Sequence, residues 1–264
     1  MTKKAVLFDL DDTLLWDERS IKEAFEATCM EAARVVDVDP EKLEEAVRME
    51  ARALYETYDF YPFTKMIGIN PFEGLWGDFK AGDLVDFRKM QEIVPTYRKD
   101  AWTNGLKKLG VDHAELGAKL AELFPAERRQ RPIIYEETYA VLEQLKGKYK
   151  LLLLTNGSPD LQQEKLSGVP TLASYFDHIV ISGQFGEGKP KASIFQYAME
   201  QLQITADEGV MVGDKLTTDI LGANGVGMDS VWLNRHHATR NDEIIPTYEI
   251  ENLNELLRIL AEQS

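Results

Sequence analysis

The chain has 264 residues, 44% hydrophobic and 28% charged, an ordinary balance for a folded protein with room for one large domain or two smaller ones. Its net charge of −15 argues against nucleic acid or an anionic membrane surface as partner, because both call for a basic face. A single cysteine, Cys29, rules out an internal disulfide, and with neither a basic and apolar leader nor an apolar run of membrane length the expected location is the cytoplasm.

Ala5 to Phe8 is a continuous apolar run, the pattern of a strand buried on both faces of a parallel sheet, and it stops at Asp9, Asp11 and Asp12. Carboxylates at the carboxyl end of such a strand lie where open α/β sheets bind their ligands. Like charges so close resist joint ionisation, and a divalent cation offsets them; donors that are all oxygen suit Mg²⁺. The plainer alternative is a strand followed by an acidic helix cap, and this stretch alone leaves both open.

Ser20-Ile21-Lys22-Glu23 has the form of a capping box and predicts a helix from about 20 to 36. Asp39-Pro40 offers a cap and a first-turn proline for a second helix carrying Leu43, Val47 and Leu54. Between Tyr55 and Phe79 aromatic residues crowd, and Gly68, Pro71, Gly74 and Gly77 break them into short helices and loops. These rings are expected to form the core of a small helical domain; the alternative is that some line a substrate pocket, with Phe63, Phe72 and Trp76 as the specificity candidates. Further helices are expected at about 83 to 93, at 96 to 109, and near 113 to 124 behind the acidic capping box Asp112-His113-Ala114-Glu115. Arg128, Arg129 and Arg131, just before Pro132, form a basic run that reads as a solvated linker or, alternatively, as an approach funnel for an anionic substrate.

From Ile133 strands return. After a helix near 136 to 146, Lys150 to Leu154 is a second apolar run, ending at Thr155-Asn156-Gly157-Ser158 ahead of Pro159. Such a turn can present a hydroxyl and successive backbone N–H groups to a phosphate, although it is also ordinary turn chemistry. Strands are predicted at 178 to 182 and 209 to 212, separated by a helix carrying Ile194, Phe195, Ala198 and Leu202 and by Gly186-Glu187-Gly188-Lys189-Pro190-Lys191. Lys189 in that loop could balance charge on a phosphoryl group, or it could be a surface lysine. Asp214 again follows a strand, and Asp219 stands in the first turns of the next helix, where it could instead complement the helix dipole. A strand near 230 to 233, a short one near 248 to 250 and a helix from about 253 to 262 complete the pattern.

Asp9-Leu10-Asp11-Asp12-Thr13-Leu14, Thr155-Asn156-Gly157, Lys189-Pro190, and Gly213-Asp214 with Asp219 together resemble, in order, the four motifs of the haloacid dehalogenase-like superfamily. The resemblance covers the whole chain. It implies an α/β fold with a doubly wound, Rossmann-like parallel sheet as catalytic core in residues 1–15 and 134–264, and an inserted all-helical cap of the family's type 1 in 16–133. It implies Asp9 as nucleophile and Asp11 as the acid/base that protonates the leaving oxygen and later activates water. Thr155 and the Asn156 backbone would hold the phosphoryl oxygens, and Lys189 would steady them and Asp9. Mg²⁺ would be bound by Asp9, the backbone carbonyl of Asp11 and Asp214, with Asp219 assisting.

The implied activity is hydrolysis of a small soluble phosphomonoester through an aspartyl-phosphate, with nucleoside monophosphates, phosphoserine and sugar phosphates as candidates. The family's carbon–halogen hydrolases lack an acid at the second residue after the nucleophile, whereas Asp11 is present here. Phosphosugar mutases share Asp11 and a helical cap, and stay as an alternative. A catalytically silent binding module is the alternative from a different class, and it would usually have lost one of these charged positions. Lys215, where relatives often carry a small or polar residue, departs from the pattern and is expected to face solvent.

Overall fold

Six strands make one wholly parallel sheet in the order β3-β2-β1-β4-β5-β6, where β1 is Ala5–Phe8, β2 Lys150–Thr155, β3 His178–Ile181, β4 Gly209–Gly213, β5 Asp229–Leu233 and β6 Tyr248–Ile250. The computed structural model describes residues 2–240 and 242–262. All four residues of β1 are fully buried, as the unbroken apolar run requires of a central strand covered on both faces. Ala5 and Leu7 point to one face, where they pack with Leu152, Leu154, Met211 and the helix Ala192–Leu202. The chain leaves β1 for β2 on one side and later crosses to β4 on the other, so the switch in winding direction falls between β1 and β4. Ligands of such sheets bind in that crevice, beyond the carboxyl ends of the strands.

By backbone proximity the chain divides into two compact units, one of Met1–Trp16, Ile134–Gly157 and Val169–Ser264, the other of Asp17–Ile133 and Ser158–Gly168. The second unit is entirely helical in its regular structure among the described residues, and it takes in Ser158–Gly168, a segment the sequence boundaries assign to the core. The reason is visible in Leu161, which is buried in the same aromatic and aliphatic core of that unit as Trp76 and Phe79. Within the first unit, the two chain crossings are tied together: Leu15 and Ile134 form an antiparallel bridge, and the Leu14 carbonyl accepts from Tyr135 N at 3.2 Å and Thr138 Oγ1 at 3.0 Å.

Several local expectations are corrected by long-range packing. The first helix runs Asp17–Ala33, so Ser20 lies inside its first turns; its hydroxyl donates to the Arg131 carbonyl instead of capping. The second helix, Pro40–Tyr55, starts where expected, with Asp39 Oδ1 accepting from Glu41 N and Lys42 N. Pro95 does not split the next segment: one helix spans Val85–Lys108, with Pro95 on its exposed side and Val94, Tyr97, Ala101 and Trp102 buried. Tertiary burial outweighs the one lost hydrogen bond there, and solvent can satisfy the freed carbonyl. The helix Ala114–Arg129 is capped by His113, whose Nδ1 accepts from Leu116 N at 3.2 Å, so Asp112 is not the cap.

That helix also takes in Arg128 and Arg129 of the basic run. Arg128 is 5% exposed, donates to Asp17 and Ser20, and lies 4.6 Å over the Trp76 ring; it is neither a solvated linker nor a funnel. Arg129 pairs with Glu164 and Asp78, and Arg131 with Glu127, so their charge is spent inside the helical unit. Of the proposed specificity residues, Phe63 packs edge-on against Phe87 at 5.0 Å and Trp76 is 3% exposed, both within the unit's core. Phe72 is partly buried beside Phe25, under the guanidinium groups of Arg48 and Arg52.

Candidate active site

At the carboxyl ends of β1 and β4, on either side of the winding switch, stand Asp9 and Asp214. The Asp9 N–H continues the sheet by donating to the Val212 carbonyl at 2.9 Å, so Asp9 is held on sheet hydrogen bonds while its side chain projects past the strand. Beyond it the chain turns sharply. Asp12 adopts φ 60°, a left-handed conformation Asp tolerates better than most residues, and its N–H donates to the Leu15 carbonyl at 2.7 Å. This brings Thr13 back over Asp9.

Thr13 is fully buried and joins the two strand ends: its hydroxyl is 3.2 Å from Asp9 Oδ2, accepts from Asp214 N at 3.1 Å, and lies 3.5 Å from Asp214 Oδ1. Asp219 folds back from the π-helical turn Leu216–Ile220, accepting from Lys215 N at 3.1 Å through Oδ2. That return needs a glycine at the end of β4, because a Cβ on Gly213 would sit 2.3 Å from Asp219 Oδ2. The Lys215 side chain is exposed, as expected.

Lys189 closes the cluster. Its Nζ lies 2.6 Å from Asp9 Oδ1 and 2.7 Å from Asp219 Oδ1, and its side chain is 1% exposed, so the surface-lysine alternative is excluded. Its loop is set from β2: Asn156 Nδ2 donates to the Lys189 carbonyl at 3.0 Å while Lys189 N donates to Asn156 Oδ1 at 2.8 Å. The Asn156 side chain is therefore engaged in positioning Lys189. Thr155 is buried at the end of β2, and Gly157 N donates to Ser182 Oγ at 2.9 Å, which anchors the same turn on the segment after β3.

Asp9, Asp214 and Asp219 each offer a carboxylate oxygen within 4.8 Å of the others, the arrangement of a divalent-cation site with oxygen donors only. The Asp11 side chain is not part of that group. Charge in this cluster is out of balance, with three carboxylates against one ammonium. Burial pushes the Asp214 carboxyl well above its ordinary value, and the neighbouring Asp9, Asp219 and Asp12 push it further. Burial also raises Asp9, against the pull of Lys189. Burial would lower Lys189, but Asp219 and Asp9 outweigh it and raise the ammonium above its usual range, so it is charged. A divalent cation would supply the missing positive charge, and the residues present fit one.

Sequence reasoning passed over Thr13 as a site residue, although it lies four positions after Asp9 within the first motif. It also missed Trp232, whose indole N–H donates to the Asp214 carbonyl at 2.7 Å, and Arg235, whose guanidinium donates to the Thr13 carbonyl at 3.2 Å. No local sequence signal marks either.

Comparison with known proteins agrees with this geometry. A sequence profile described as haloacid dehalogenase-like hydrolase matches residues 3–227. A phosphoserine phosphatase of Thermus thermophilus is 33% identical over 253 residues, covering 96% of this chain and 97% of that one. The pyrimidine 5′-nucleotidase YjjG of Escherichia coli is 32% identical over 188 residues, 71% of this chain and 78% of its own. Among solved structures, the HAD-hydrolase YfnB of Bacillus subtilis, crystallised with magnesium, superposes with a TM-score of 0.69 at 23% identity, covering 98% of this chain and 99% of that one.

Proposed function

The chain belongs to the haloacid dehalogenase-like hydrolases, and from that premise we propose that it is a Mg²⁺-dependent phosphatase that hydrolyses a small phosphomonoester. The observation that carries this reading is the Lys189 bridge between Asp9 and Asp219 beside Asp214. It assembles a carboxylate nucleophile, a fixed cation and a set of metal donors within one buried cluster. A carboxylate attacks phosphorus only when its own charge and that of the phosphoryl group are screened.

Asp9, Asp214 and Asp219, with the Asp11 carbonyl, would hold Mg²⁺, which would supply Lewis-acid screening of the phosphoryl oxygens. The chain's own residues do the rest. Asp9 attacks phosphorus through one carboxylate oxygen, with Thr13 donating to the other and fixing its orientation. Thr155 and the Asn156 backbone receive the phosphoryl oxygens, and Lys189 stabilises the charge that develops between them and Asp9. Asp11 gives its proton to the leaving oxygen and then takes one from the water that opens the aspartyl-phosphate. Phosphate monoesters are among the slowest compounds to hydrolyse uncatalysed, which accounts for so dense an electrostatic site.

The likeness to a phosphoserine phosphatase over nearly the full length of both chains puts phosphoserine first among substrates to test, followed by nucleoside monophosphates and sugar phosphates. The test is phosphate release from a panel of phosphorylated metabolites with Mg²⁺. Release from at least one at a kcat/KM far above a generic aryl phosphate supports the reading. Transfer of phosphate to another position on the product, with none released, makes the protein a mutase; inertness towards the whole panel overturns both.

A further inference from the structure

We infer that Trp232 and Arg235, at and just beyond the end of β5, are positioning residues that set the spacing of the metal-binding carboxylates; the inference rests on the reading above. Neither residue touches a reacting atom. Each grips the backbone of one of the two loops that carry the site. Trp232, 2% exposed, holds the loop after β4 through its 2.7 Å hydrogen bond to the Asp214 carbonyl. Arg235 holds the loop after β1 through its 3.2 Å hydrogen bond to the Thr13 carbonyl.

Those two grips meet at Thr13. Its hydroxyl contacts Asp9 and accepts from the Asp214 N–H, so moving either loop changes the Asp9 to Asp214 distance directly. Arg235 is itself rigidly held: Nη1 pairs with Glu137 at 2.6 Å, and the guanidinium lies 3.7 Å over the Tyr135 ring, which stacks on Trp16 at 5.1 Å. A planar, stacked fork loses little freedom on bonding and tolerates no lysine substitute at full strength. Three close carboxylates repel one another when the cation is absent, and a brace on both loops keeps them at binding distance without spending metal affinity on reassembly.

The test uses the full chain with MgCl₂ as probe, comparing wild type with Trp232→Phe, which keeps an aromatic ring but removes the N–H, and with Arg235→Met and Arg235→Lys. Calorimetric titration is expected to show Mg²⁺ affinity weakened on the order of tenfold in Trp232→Phe and Arg235→Met, with Arg235→Lys intermediate. The increase in Tm that Mg²⁺ gives should shrink in each variant, a shift that a purely structural role would not produce, since loss of packing lowers Tm equally with and without metal. KM for the best phosphomonoester should stay within roughly twofold while kcat falls. Wild-type Mg²⁺ affinity and an undiminished Mg²⁺ increment in Tm in the folded variants overturn the brace and leave the functional reading standing. A wild type that binds no Mg²⁺ overturns the functional reading and the brace with it.

Discussion

The Lys189 ammonium lies 2.6 Å from Asp9 Oδ1, with both side chains buried, and the same nitrogen reaches Asp219 at 2.7 Å. Lys189→Met therefore removes the cation that two buried carboxylates share. Expected are a kcat loss of about 10²- to 10³-fold and a marked fall in stability without metal, because breaking a buried pair strands its partners. Mg²⁺ should recover part of that stability, so its Tm increment should exceed the wild-type one. Equal increments would detach Lys189 from the cation site.

Asp9→Asn keeps the shape of the side chain and removes the nucleophile. Turnover should drop by at least about 10³-fold while the circular dichroism spectrum stays native. Turnover near wild type in a folded variant would falsify the covalent route.

Asp11 and Asp214 should separate chemistry from metal binding. Asp11→Asn should reduce kcat with Mg²⁺ affinity nearly unchanged, since the Asp11 side chain lies outside the carboxylate group. Asp214→Asn should weaken Mg²⁺ binding, and EDTA should silence the wild type reversibly. The arrangement is wrong if calorimetry shows the Asp11 variant losing metal and the Asp214 variant keeping it.

In the helical unit, Asp17 is buried against Arg128 and lies 3.9 Å from Lys165, which in turn pairs with Glu73 at 3.3 Å. Burial would raise the Asp17 carboxyl, but Lys165 and Arg128 outweigh it and hold it below its ordinary value of 3.8. A carboxyl depressed in the folded state adds stability that is complete above its unfolded value and disappears as pH falls through its folded one. Asp17→Asn should thus cost about 3 kcal/mol at neutral pH, with the gap to wild type constant down to about pH 5 and closing below pH 4. Denaturant titrations along that series check it; a gap that widens on acidification contradicts the sign.

How much of this was visible beforehand depends on the range of the interactions. Ala5–Phe8 and the leucine run at 151–154 announce themselves because a strand buried on both faces is apolar, and Asp9 and Asp214 follow from where β1 and β4 end. Ser20, Pro95 and His113 were misjudged because capping and helix breaking were weighed locally. Burial of Tyr97 and Trp102 carries the helix through Pro95, and Arg131 rather than a helix end takes the Ser20 hydroxyl. Arg128 looked like solvated charge because Asp17 is its partner across the unit, at a separation no motif spans. Trp232 and Arg235 were invisible for the same reason: each acts through a backbone carbonyl, which leaves no trace in the identity of the residue it grips.

β1, the earliest of the six strands in the sequence, lies in the middle of the sheet beside β4. Residues 5–8 pair on one side with residues from 150 onward and on the other with residues from 209 onward. At roughly 5–20 residues per second on the ribosome, Ala-Val-Leu-Phe waits on the order of ten seconds or more for its second neighbour. The helical unit cannot finish early either, because Leu161, which belongs to its core, is made after β2. Both units therefore depend on late-made chain, and a nascent protein stalled before residue 158 carries an apolar strand that lacks its β4 neighbour together with an incomplete aromatic core. Transiently exposed apolar surface of that kind is what makes a partly made chain prone to aggregate, so the duration of the exposure matters alongside the stability of the finished fold.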